Sequence, residues 1–262
     1  MLVHMLYDWP EWLLFAIFLA SMFLGAEAGF WLGRIAPKDP AENKEASMVT
    51  TSMLAVLGLL LGFSMSMAVS RFEMRKLLVV QESNALGTSW LRTQLLPEPV
   101  RTEVSNSLRV YVDARIRGGG VGEDLTRLNY AHEEALRLQS EFWERTVAYS
   151  RMDPNPVTSG LLLQSLNESI DLAAARWVAI FNHVPESVFL VDALIAVLSA
   201  VLLGYQPGID GQRRRFTTSV LAMTIALIWI SVIDMDRPHH GFIQIGQEPM
   251  LELRRQIGGP LN

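Results

Sequence analysis

Hydrophobic residues along this chain fall into two kinds of stretch: long unbroken runs, and charged segments with an apolar residue at every third or fourth place. The first run, at 12–32, reads WLLFAIFLASMFLGAEAGFWL, with Glu27 as its one charge and Trp12 and Trp31 near its ends. A helix rises about 1.5 Å per residue, so roughly 20 apolar residues cross a hydrocarbon core of about 30 Å, and tryptophans favour its interfaces. The second run, at 48–70, carries no charge. The polar connection APKDPAENKEAS between them predicts a helical hairpin. Runs at 187–204, with Asp192 inside, and at 216–233 predict a second hairpin, closed by the loop YQPGIDGQRRR.

Between the hairpins the pattern becomes amphipathic. No helix breaker stands between Ser70 and Leu95, so the second span is expected to continue into water until Pro97 and Pro99 stop it. Val100, Val104, Leu108, Tyr111 and Val112 have helical spacing, and glycines 118–120 follow. Leu125, Leu128, Ala135, Leu138 and Phe142 mark a further helix, ended by DPNP at 153–156. Leu162, Leu166, Ile170, Ala173, Trp177 and Phe181 mark another. The expected architecture is all-α and polytopic. It has a first transmembrane hairpin at 1–70, a water-facing helical bundle at 71–183, a second hairpin at 184–236 and a tail at 237–262.

Composition agrees with such a mixture. The chain is 50% hydrophobic yet 19% charged, and its mean hydropathy of +0.23 lies between that of a soluble domain and that of a chain held wholly in lipid. It has no cysteine, which excludes disulfides, thiolate metal sites, iron–sulfur clusters and cysteine nucleophiles. A net charge of −5 without a basic stripe argues against nucleic acid as a partner. The start, MLVHMLYDWPEW, has no basic region and no small-residue cleavage site follows, so the first run reads as a retained span. No set of nucleophile, base and orienting residue can be assembled, GGGVGED lacks the ending of a phosphate loop, and His132 lies on an apolar stripe as a hydrogen-bonded core residue. No catalytic site, metal or cofactor is expected.

Four spans put the termini and the bundle on one side of the bilayer and the two short loops on the other. The loops hold six basic residues, Arg34, Lys38, Lys44, Arg213, Arg214 and Arg215, against five near the membrane on the other side, Arg71, Arg75, Lys76, Arg176 and Arg237. Counted by short loops, the positive-inside rule leans toward an outward-facing bundle.

Several residues in the spans invite a closer reading. Gly58, Gly62, Ser66 and Ser70 recur every fourth place on the second helix, and Gly25 and Gly29 repeat the device on the first. Such rows let helices pack closely in lipid. Alternatively, one flank of the second helix lines a pore, with Ser64 or Ser66 wetted. An ionised carboxylate in mid-span costs about 2.5–3.5 kcal/mol, so Glu27 and Asp192 should face protein or water. Glu27 either pairs with a base such as Arg34 or belongs to an ion path, and Asp192 has the same two readings. Asp234, Asp236 and Arg237 lead into Pro238, His239, His240 and Gly241. This segment is either a divalent metal site or, as preferred here, an interfacial charge cluster that includes Arg71.

LGFSMSMAVSRF, in which Leu61, Gly62 and Phe63 precede Arg71 and Phe72, resembles the second-helix segment of bestrophins. The order of hairpin, helical domain, hairpin and a Pro-x-x-Gly segment (Pro238 to Gly241) matches as well. QESNALGTSWLRTQLLPEP and DMDRPHHG look typical of the bestrophin-like family of bacterial membrane proteins. Bestrophins are pentameric ion channels, mostly anion-selective in animals, whose axial pore narrows at three apolar residues one turn apart on the second helix. The resemblance puts that neck at Ala55, Leu59 and Phe63, with Ala55 small where the family has a bulky residue. It implies a cytoplasmic bundle, opposite to the charge count. No acidic run of the family's calcium clasp follows the last span.

The expected function is therefore an ion channel, anion-conducting by resemblance. It would be a homo-oligomer, a pentamer by resemblance, in the lipid bilayer of a bacterial inner (plasma) membrane, passing small inorganic ions along the second helix. The alternative is a non-conducting membrane scaffold or sensor whose helical domain binds a partner, and a membrane enzyme ranks last.

Overall fold

The computed structural model describes residues 9–37, 40–119, 125–153, 156–237 and 243–258. Among these are eight helices and no strand: α1 (Glu11–Ile35), α2 (Pro40–Thr93), α3 (Val100–Gly119), α4 (Leu125–Ser150), α5 (Pro156–Phe181), α6 (Glu186–Asp210), α7 (Arg215–Asp236) and α8 (Glu248–Gln256). Four of them, α1, the apolar half of α2, α6 and α7, are long and apolar enough to cross a membrane. The protein is an integral membrane protein, all-α among the described residues.

The described chain divides into two compact units. The first holds 9–70 and 183–237: α1, the N-terminal part of α2, α6 and α7. Its core gathers Phe18 and Met22 of α1, Leu57, Leu61 and Ala68 of α2, Phe189 and Ala196 of α6, and Trp229 and Ile233 of α7. The Trp229 ring stacks on Phe18 at 4.4 Å and meets Phe189 edge-on at 6.4 Å. The α1–α6 pair needs no large side chains. Gly25, Gly29 and Gly33 of α1 lie against the backbone of Val197, Val201 and Tyr205, and Gly204 and Gly208 of α6 lie against that of Ala26 and Phe30. A Cβ at Gly29 or Gly204 would run into the facing carbonyl, so only glycine allows this approach.

The helices extend beyond the apolar runs. Helix α2 begins at Pro40, within the connection expected to be a loop, because proline suits a first helical position and PAENKEAS contains no breaker. Helix α6 continues through Pro207 to Asp210 and ends at Gly211 with φ 69°, a left-handed cap. The segment expected as the loop 205–215 is therefore mostly helix. Pro207 removes the bond its N–H would have made to the Leu203 carbonyl, and the helix runs on for three residues with Gly204 and Gly208 seated against α1.

The second unit holds 71–182 and 244–258, as far as they are described. Val104, Leu108, Tyr111 and Val112 of α3 meet Ala135, Leu138 and Phe142 of α4 and Leu162 and Leu166 of α5, all buried. Tyr111 and Phe142 pack edge-on at 5.3 Å. Toward the end of α5 the stripe opens, and Phe181 is half exposed. Helix α3 starts with Glu98 accepting from the Thr102 amide and hydroxyl, and runs through Gly118 and Gly119 where a break was expected. The last carbonyls of α5 are held by arginines. Arg75 donates to Ala179 and Asn182, and Arg71 to the Asn182 carbonyl and side chain. The tail adds α8, which puts Met250 and Leu253 into this core.

Candidate functional site

The apolar half of α2 has two faces of different fate. Thr50, Leu57, Leu61, Ser64 and Ala68 are buried in the first unit. At 100° per residue, Ala55, Gly58, Leu59, Gly62, Phe63, Ser66 and Ser70 fall on the opposite arc, and all are exposed. Leu59 and Phe63 are each 58% exposed. A Cβ added at Gly58 or Gly62 would meet nothing within 4 Å. The two glycine rows therefore differ in kind: that of α1 is spent on α6, whereas that of α2 faces no other part of its unit. The candidate neck residues Ala55, Leu59 and Phe63 share this open, uncharged face, and Ser66 lies on it too. Ser64 does not, because its hydroxyl is buried and turned toward α6.

The charges within the spans are all engaged. Asp192, 1% exposed, accepts a 2.6 Å hydrogen bond from Ser64. Glu27 pairs with Arg213 at 3.0 Å rather than with Arg34, whose guanidinium lies 5.7 Å from the Trp31 ring. Arg213 also lies over the Phe30 ring at 4.5 Å. Tyr205 donates to Glu42 at 2.6 Å.

At the end of α7, Asp234, Asp236 and Arg237 are buried. Asp236 accepts the Val184 amide at 2.8 Å and stands 3.6 Å from His183 Nδ1, so it clamps the turn that enters α6. Arg237 lies 3.9 Å from Glu11. Arg71, named with these acids in the expected cluster, donates to Asn182 within the second unit. Pro238, His239, His240 and Gly241 lie outside the described residues.

The second unit contains an ionic cluster that the amphipathic pattern did not reveal. Glu82 is fully buried on α2, with Arg115 at 2.6 and 2.9 Å and Arg176 at 2.9 Å on its two oxygens. Burial pushes the Glu82 carboxyl up, but the Arg115 and Arg176 charges and hydrogen bonds outweigh it and hold the group below its ordinary range. Arg176 also donates to Gln247 at 3.0 Å, and Arg254 of α8 pairs with Asp113. His132 is not a hydrogen-bonded core residue. It stacks flat on Trp177 at 3.8 Å, and burial, helped by Arg115, lowers its pKa.

A family model described as a bestrophin-like domain matches residues 20–250. No curated protein matches. Among solved structures, a variant of a bacterial bestrophin homologue from Klebsiella pneumoniae is similar at a TM-score of 0.66 and 14% identity, over 93% of this chain and 96% of that one. The structure of that homologue solved by zinc phasing gives 0.64 at 15% identity, over 93% and 95%. A second variant gives 0.64 at 14%, over 92% and 97%. At such identity the likeness is one of fold.

Proposed function

This chain belongs to the bestrophin-like domain family, and on that premise we propose that it assembles with copies of itself into an ion channel whose pore is lined by the open face of α2. The observation that carries the reading is the exposure of Leu59 and Phe63 on a membrane helix whose opposite face is packed and whose Ser64 donates to the buried Asp192 of α6. A span that keeps Gly58, Gly62 and Ser66 clear of its own chain is shaped to face an axis. In a ring of such helices, Ala55, Leu59 and Phe63 form an apolar neck that conducts when wet and closes by excluding water. Anions are the proposed cargo, by resemblance to animal bestrophins, and five is the proposed copy number on the same ground. The bundle lies in the cytoplasm by that resemblance.

The test is reconstitution of the purified protein in liposomes, with current measured under a salt gradient, for the wild type and for Phe63→Ala. Because Phe63 is more than half exposed within its own chain, the variant should stay assembled and carry a larger current. The reversal potential identifies the ion. A monomer without current would favour the scaffold reading, and a ring that conducts cations would keep the channel and remove the anion selectivity.

A further inference from the structure

Beside the Glu27–Arg213 pair the first unit has a cleft of about 350 Å³ lined by both charged and apolar residues. It is lined by Arg213, Arg214 and Arg215, consecutive at the start of α7. Phe23, Leu24 and Phe30 of α1 add an apolar wall, with Arg213 lying over the Phe30 ring at 4.5 Å. From Phe30 to Phe23 is seven residues, about 10 Å along a helix, so the wall descends well into the span. A second cleft of about 570 Å³ adjoins it, shares Arg214 and Thr218, and adds Lys44. The cations of the two clefts number four (Arg213, Arg214, Arg215 and Lys44) against two carboxylates (Glu27 and Asp210), an excess of two positive charges.

These charges are not all consumed within the chain. Glu27 takes Arg213 at 3.0 Å. Asp210 stands 4.0 Å from Arg214, whose side chain is 64% exposed, and Arg215 is exposed. Arginine matches phosphate oxygens with paired N–H donors, and its weak hydration suits a site at the water–lipid boundary. Thr218 and Ser219 line the same cleft. Arginines at the ends of spans also attract acidic headgroups electrostatically.

We propose that this cleft binds one anionic phospholipid, its phosphate on Arg214 and Arg215 and an acyl chain along Phe23, Leu24 and Phe30. The excess charge selects an acidic headgroup over a zwitterionic one, whose ammonium would meet arginines. The apolar wall selects a lipid over a free anion. The site is separate from the open face of α2, and its occupancy does not depend on conduction.

The experiment uses the full-length protein in detergent, with native mass spectrometry and thermal unfolding read against added phosphatidylglycerol, phosphatidylcholine or inorganic phosphate. Phosphatidylglycerol should bind with saturation at one copy per chain and raise the melting temperature. Phosphatidylcholine and inorganic phosphate should do neither at the same concentration. Arg214→Gln with Arg215→Gln should weaken phosphatidylglycerol binding at least tenfold while leaving the lipid-free melting temperature unchanged. Should that pair fail to fold, Arg215→Gln alone carries the same expectation. Leu24→Gln, at a residue 72% exposed, should weaken the lipid without affecting its headgroup preference. An equal response to both lipids would overturn the proposal. So would an equal response to inorganic phosphate, undiminished binding by the arginine variants, or a change of oligomer mass in those variants with no lipid bound.

Discussion

Ser64 of α2 donates a 2.6 Å hydrogen bond to the carboxylate of Asp192 on α6, and both residues are 1% exposed. The bond ties two spans through polar groups that have no water to turn to. Asp192→Leu should therefore destabilise the protein by about 1–3 kcal/mol, the cost of disturbing a buried hydrogen bond and its packing. Asp192→Asn, which still accepts from Ser64, should lose less. Thermal unfolding in detergent separates the two, and equal losses would show that shape rather than the hydrogen bond is at stake.

The glycines of the membrane unit should divide into two classes. Gly29→Val and Gly204→Val drive a side chain into the Val201 and Ala26 backbone and should cost about 1–3 kcal/mol or more, as overpacked cores do. Gly58→Ala and Gly62→Ala meet nothing in their own unit and should leave the unfolding of the chain intact. Their effect should appear in oligomer mass or in current. Unfolding of all four variants, followed by sizing of the stable ones, checks the division.

Glu82 should make the second unit sensitive to acid. Its folded pKa lies below the ordinary value of 4.5, so it contributes stability that is full above pH 4.5 and is lost as the pH falls from there through the folded pKa. Glu82→Gln should cost about 3–5 kcal/mol at pH 7, because Arg115 and Arg176 remain buried without their counter-charge. The variant should also lose part of the wild type's pH dependence below 4.5. Denaturant unfolding at pH 7 and below pH 4.5, on both proteins, tests this.

The chain has no cysteine, so single cysteines report sidedness without background. Gln212 and Asn129 are both exposed. In membrane vesicles Gln212→Cys and Asn129→Cys should be labelled from opposite sides by an impermeant maleimide. Labelling from the same side would contradict the four-span topology.

What could be read in advance followed the range of the signal. A run of apolar residues long enough to span a membrane is a local property, and the four runs at 12–32, 48–70, 187–204 and 216–233 all lie within helices. Their ends were less legible: Pro40 opens a helix because a first-turn N–H has no intrahelical partner, whereas α6 runs on through Pro207 although that proline removes an i→i−4 bond. Helix α8 was invisible: EPMLELRRQ is short and charged, and it folds because Met250 and Leu253 find a core and Arg254 finds Asp113. Pairings between distant residues were equally out of reach. Glu27 has Arg34 nearby in sequence but takes Arg213, and Glu82 looks like any charge on an amphipathic helix until Arg115 and Arg176 close on it. Of the two serines considered for a wetted face, only packing tells Ser64 from Ser66.

The α1–α6 contact has a mechanical consequence. Surfaces padded with side chains can slide, because rotamers give way one at a time. Here carbonyls sit in notches cut by Gly29, Gly33, Gly204 and Gly208, and sliding would require lifting several out together. The two helices are thus keyed like a spline and move as one beam. The notches of α2 at Gly58 and Gly62 hold nothing from its own unit and are left for a carbonyl from outside it to key into.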